Sequence, residues 1–167
     1  MKEFVAAFYD YDEVREYSGL PSYDEYVAPY SISRTIRVPV KPLVVISERG
    51  VLKPIFVVGW ASMPLSLFQR RLLMTVLEDA VFSLTDFQGS PGEFVSFPRG
   101  DNSGARAPEV WRRGDFELLS QTELKQQIDV YLAALSAAKS ILAETAASTD
   151  DVQRDRGVDP RQGELKI

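Results

Sequence analysis

Two short runs in which tyrosine alternates with carboxylates are the residues of this chain best suited to recognition. They are Tyr9-Asp10-Tyr11-Asp12-Glu13, with Tyr17 four residues further on, and Tyr23-Asp24-Glu25-Tyr26. Carboxylates pair with guanidinium and ammonium groups, and tyrosine ring faces accept the same cations. Tyr also offers a large contact area with little rotamer entropy to lose on binding. The first thirty residues hold seven carboxylates against Lys2 and Arg15, together with six of the seven tyrosines. They account for the whole net charge of −5, since acids and bases balance in the rest of the chain. The segment therefore suits a basic protein surface, including one that ordinarily holds nucleic acid, while phosphates approaching it directly are repelled. The competing reading packs the tyrosine rings at the core edge and leaves the acids to keep the surface soluble.

The basic groups gather elsewhere, at Arg99, Arg106, Arg112 and Arg113, with Trp111 among them. A mobile arginine loop with one aromatic could grip phosphate or RNA. The plainer reading pairs these arginines with the acidic segment of the same chain or of a neighbouring copy. Arg99-Gly100-Asp101 and Arg113-Gly114-Asp115 read as turns. Glu78-Asp79 cannot form a cation site alone, because adjacent helical residues point about 100° apart.

Histidine and cysteine are both absent. That removes the usual general base near neutral pH, the Ser or Cys triads, thiolate chemistry and the common zinc ligands. A non-enzymatic protein is expected, with no cofactor and no metal. The beginning Met1-Lys2-Glu3-Phe4 lacks the apolar stretch of a signal peptide, and no apolar run reaches the length of a membrane span. A cytoplasmic protein with no membrane association is the expectation.

The elements that would carry these groups are read from periodicity. Phe4, Ala6 and Phe8 alternate as in a strand, while Phe4, Val5 and Phe8 also permit a helical stripe; the clustered aromatic and β-branched residues predict a strand over 3–10. Ser22 to Glu25 has capping-box spacing for a short helix ended by Pro29. Residues 35–47 and 51–58 read as strands, with Glu48-Arg49-Gly50 as a three-residue hairpin loop. Pro39, Pro42 and Pro54 suggest edges or bulges. The unbroken apolar runs 43–46 and 55–58 read as buried on both faces. A helix is predicted over 63–87, with Ser62 as its cap and Gly89 after its end. The glycine- and proline-rich stretch 88–109 reads as a long loop with a short strand at 93–97. A second long helix follows the capping box Ser120-Gln121-Thr122-Glu123 and runs over 121–146.

The expected architecture is a single α+β domain over 1–147. It has a small, mainly antiparallel sheet of three or four strands covered on one face by two long helices, and a flexible tail at 148–167. The stretch Gln69-Arg70-Arg71-Leu72-Leu73-Met74-Thr75-Val76-Leu77-Glu78-Asp79-Ala80-Val81 resembles a helix of small uncharacterised proteins of phages and mobile elements. That resemblance implies the company of small acidic inhibitors and toxin-neutralising proteins. The expected function is a binding module that blocks a basic surface of a larger partner through the Tyr/Asp/Glu segment. The alternatives are a structural subunit of a viral or other assembly, which would self-associate, and a nucleic-acid-associated protein working through the arginine loop.

Overall fold

A computed structural model describes residues 2–19, 29–100 and 105–155, with 146–155 as backbone. The chain divides into two compact units, Met1–Ser120 and Gln121–Ile167. The described part of the second is the helix α3 (Gln121–Asp155), which runs past the predicted end at 146.

In the first unit, residues 3–10 are helical, against the strand expectation. Helix α1 (Lys2–Glu13) places Phe4, Ala7, Phe8 and Tyr11 on one side, the spacing that buries one stripe of a helix. Tyr11, one residue beyond the predicted strand, completes the stripe. Packing of these rings around the fully buried Phe97 outweighs the β propensity of the individual residues.

Two short strands, β1 (Pro29–Ser31) and β2 (Arg37–Pro39), form an antiparallel ribbon of their own. The main sheet holds β3 (Val44–Glu48), β4 (Val51–Val58), β5 (Glu93–Ser96) and β6 (Glu109–Arg112) in the order β3-β4-β5-β6. It is mixed rather than mainly antiparallel, because β4 and β5 run parallel while both outer pairs are antiparallel. A parallel pair needs a crossover, and the segment containing α2 (Leu67–Leu77) supplies it. The predicted strand over 35–47 is thus two strands in two sheets, broken where Pro39 and Pro42 withhold ladder donors. Pro54 lies in an inner strand, not at an edge. It is tolerated because the ladder to β5 begins at Ile55, one residue beyond it.

The β3–β4 connection is a two-residue turn, since Glu48 pairs directly with Val51. Arg49 and Gly50 both take positive φ, 52° and 77°, as a type I′ turn requires.

Side-chain alternation sorts the sheet into two covered faces. Val44, Ile46, Ile55, Val57, Val95 and Val110 meet α1, whereas Val45, Phe56, Phe94 and Trp111 meet α2 and the turns after it. The continuous apolar runs of β3 and β4 follow from this double burial. Within the first unit one helix covers each face, α1 one and α2 the other. With residues 3–10 read as a strand, the second face had no visible cover.

Helix α2 starts at Ser66, not Ser62, through a complete capping box with Gln69. It continues as a π turn (Glu78–Phe82) and a 3-10 turn (Thr85–Phe87), so the predicted stretch ends in tighter and wider turns rather than one cylinder. These turns bring Phe82 against Gly92, where a β-carbon would lie 2.1 Å from the Phe82 ring. Gly92 also has φ +31°, so a side chain is excluded both by contact and by backbone. Gly92→Ala should cost about 3 kcal/mol in urea unfolding. Combining it with Phe82→Leu should give less destabilisation than the sum of the two single changes, and strict additivity would show that the ring is not the obstacle.

Candidate functional site

The face of the sheet beneath α1 carries charge at one end. Val44, Ile55, Glu93 and Arg112 form one cross-strand row, and Glu48 and Lys53 lie on the same face beside it. Glu93 is only 6% exposed on inner strand β5. A carboxylate so placed needs counter-charges and donors, or it would give up its ionised form. It receives both. The Tyr11 hydroxyl donates to its Oε2 at 2.5 Å, the Arg15 guanidinium pairs with the same oxygen, and Lys53 Nζ lies 3.4 Å from Oε1. Arg112 Nε stands 4.0 Å away.

Glu48 completes the cluster. Arg15 donates to it at 3.0 Å and Lys53 forms a second ion pair with it. The Arg15 guanidinium also lies 4.4 Å over the Tyr11 ring. Beyond the cluster, Ser18 and Gly19 bond Ser47 and extend the edge of β3. The C-terminal half of α1 and the residues after it are therefore fastened to β3, β4 and β5 together.

Burial alone would raise the Glu93 pKa, but the Tyr11 hydrogen bond and the charges of Arg15 and Lys53 outweigh it and hold the carboxyl below its ordinary range. Tyr11 moves oppositely. Its burial, then its hydrogen bond to Glu93 and the charge there, push the phenol far up, so it stays a donor.

The expected recognition segment is thus divided. Tyr11 belongs to the buried cluster and is not an exposed anchor. Asp12 is half-buried and accepts the Tyr17 hydroxyl at 3.4 Å. Tyr9, Asp10 and Glu13 lie exposed on the outer side of α1, with exposed Val14, Glu16 and Tyr17 directly after it. Among the described residues, Asp10, Glu13 and Glu16 make no hydrogen bond or ion pair through their side chains. Tyr23, Asp24, Glu25 and Tyr26 lie outside the described residues.

The arginine-rich stretch divides as well. Trp111 is buried and stacks on Phe94 at 5.1 Å, with its Nε1 donating to Glu109. Arg106 donates to the carbonyls of Gly59, Trp60 and Phe97. Arg113 pairs with Glu78 and donates to the carbonyls of Phe87, Gln88 and Ser90. Arg99 pairs with Glu3 on α1 at 3.3 Å, the pairing with the acidic segment that the plainer reading expects. Only Arg112 keeps a guanidinium that is 65% exposed and near the charge cluster.

Sequence reasoning missed Glu93, Lys53, Glu48 and Arg15 as a set. The parity of Glu48, Lys53 and Glu93 with the apolar residues of β3, β4 and β5 is a usable signal once the strand register is known. Among the described residues no three acidic side chains converge as a metal site would need, and no helix is long and apolar enough to cross a membrane.

Because the native Glu93 pKa lies below its unfolded value of about 4.3, the ionised carboxylate contributes stability that is complete above that value. The contribution is lost as pH falls through the native pKa. Glu93→Gln should therefore lose about 3 kcal/mol at neutral pH, and its deficit relative to the parent should shrink as pH drops below about 4. A deficit that stays constant with pH would show that ionisation of Glu93 does not contribute.

No protein-family model, curated protein or solved structure matches this chain, so its residues alone carry the functional reading.

Proposed function

We propose that this chain is a non-enzymatic protein-binding module whose docking face is the outer side of α1 and the turn after it. The observation that carries the reading is the exposure of Tyr9 at 67% and Val14 at 84% among the unpaired carboxylates Asp10, Glu13 and Glu16. Large exposed side chains ringed by one sign of charge are the composition of an interface anchor. Exposed acids scattered for solubility would not require an aromatic and a valine beside them.

The partner offers an arginine- or lysine-rich surface. Approach is steered by charge, and affinity follows from burying Tyr9 and Val14 while guanidiniums pair with Asp10, Glu13 and Glu16. The inner side of the helix is held by Phe4, Phe8, Tyr11 and Arg15, so the docking face is presented without ordering a segment first. That lowers the entropic cost of binding. By covering a basic surface the module would act as an inhibitor or neutralising protein. The arginine stretch gives no comparable support to nucleic-acid binding, since Arg106 and Arg113 are spent on backbone carbonyls.

The test is capture of a partner from lysate of the native host, followed by calorimetry on the purified partner. Tyr9→Ala should weaken binding about tenfold, and Asp10→Lys combined with Glu13→Lys should weaken it further. Parent affinity should fall with added salt. All these variants should keep their melting temperature, because the altered side chains are exposed and unpaired. Undiminished affinity in the folded variants would refute the docking face.

A further inference from the structure

The charge cluster opens into a cavity that adjoins the docking face and shares Val14 and Glu16 with it. It measures about 880 Å³ and lies between the end of α1, the β3–β4 hairpin, β6 and the turn at Gly89 and Pro91. Its walls carry the cations Arg15, Arg49, Lys53 and Arg112 against the carboxylates Glu16 and Glu48. Even with Glu93 counted behind them, the surplus is positive, in a chain whose net charge is −5. A concave site with low-dielectric walls focuses such a field.

The cations differ in how far they are committed. Arg15 and Lys53 are each paired with both Glu48 and Glu93. Arg112 meets Glu93 only at 4.0 Å, and Arg49 makes no hydrogen bond or ion pair among the described residues. Arg49 also occupies a left-handed backbone position, φ 52°, where a type I′ turn ordinarily takes Asn, Asp or Gly. A less favourable residue at that turn position contributes a guanidinium to the cavity wall. Val14, Val51, Pro91 and Val110 supply apolar surface in the same walls.

We propose that this cavity binds a small organic phosphate monoester. The phosphoryl group takes charge-assisted hydrogen bonds from Arg49 and Arg112, and the organic body rests on Val14, Val51 and Val110. A dianion with several acceptor oxygens matches two planar guanidiniums that are held less firmly. The volume lies within the range of small-ligand sites. The inference does not rest on the protein-docking reading: the cavity shares Val14 and Glu16 with the docking face, but Arg49 and Arg112, which take the phosphoryl group, belong to the cavity alone.

The test is calorimetric titration of the full chain, near neutral pH and at low salt, with phenyl phosphate and with inorganic phosphate. Phenyl phosphate should saturate a single site and bind about tenfold tighter than inorganic phosphate, because only it reaches the apolar wall. Arg112→Gln should weaken phenyl phosphate at least tenfold. Arg49→Asn should do the same while raising the melting temperature, since Asn suits the left-handed position better. Absence of saturable binding would overturn the proposal, as would affinities unchanged in both variants. Equal affinity for the two probes would overturn the organic ligand. Binding of a phosphotyrosine peptide with phenyl phosphate silent would assign the site to a protein partner instead.

Discussion

Glu93 sits on an inner strand with its carboxylate almost out of reach of water, and the groups that keep it ionised come from distant parts of the chain. Tyr11 and Arg15 arrive from the N-terminal helix and the turn after it, and Lys53 from β4. Removing any partner of such a charge leaves an uncompensated ion in a poorly solvated place. The requirement therefore sets where α1 ends, how it is rotated about its axis and which of its residues face outward. With Phe4, Ala7, Phe8 and Tyr11 turned to the sheet, Tyr9, Asp10 and Glu13 are turned away from it. The proposed docking face and the proposed anion cavity are thus two consequences of one buried ion cluster.

Arginine does a second kind of work in this fold. Arg106, Arg113 and Arg71 each donate to backbone carbonyls of segments that lack regular partners, at Gly59–Trp60, Phe87–Ser90 and Glu117–Leu118. A guanidinium with five donors in a fixed fork can satisfy several carbonyls at once, which no other side chain does as economically. The irregular turns around α2 are held in this way, and their closeness is what forbids a side chain at Gly92. Basic residues that look from their spacing like a loop for phosphate are mostly turn staples. Two guanidiniums held less firmly, Arg49 without a partner among the described residues and Arg112 at 4.0 Å from Glu93, line the same cavity.

Much of the main sheet was legible in the sequence. The apolar runs of β3 and β4, the turn at Gly50, the strand near 93–97 and the amphipathic stretch of α2 all follow from periodicity and turn chemistry. The N-terminal helix was misread because Phe4, Ala6 and Phe8 satisfy the strand period as readily as Phe4, Ala7, Phe8 and Tyr11 satisfy the helical one. Only the partner, Phe97, decides between them. Of the acidic tyrosine segment, the exposed acids were legible as a surface, but the division between Tyr9 outside and Tyr11 inside depends on helix phase. The Glu93 cluster was illegible for a further reason. Its members are scattered between Tyr11 and Arg112, and they share a face only once β4 and β5 are paired in parallel.

The presented face of α1 depends on the Glu93 cluster, and not the aromatic contacts alone, holding the C-terminal half of the helix on the sheet. Amide hydrogen exchange of the full chain, with Glu93 and with Glu93→Gln, tests it directly. The amides of Tyr11 and its neighbours in α1 should lose protection in the variant, while those of α2, capped independently at Ser66, keep theirs. Equal protection of α1 in the two proteins, or a uniform loss across both helices, would contradict it.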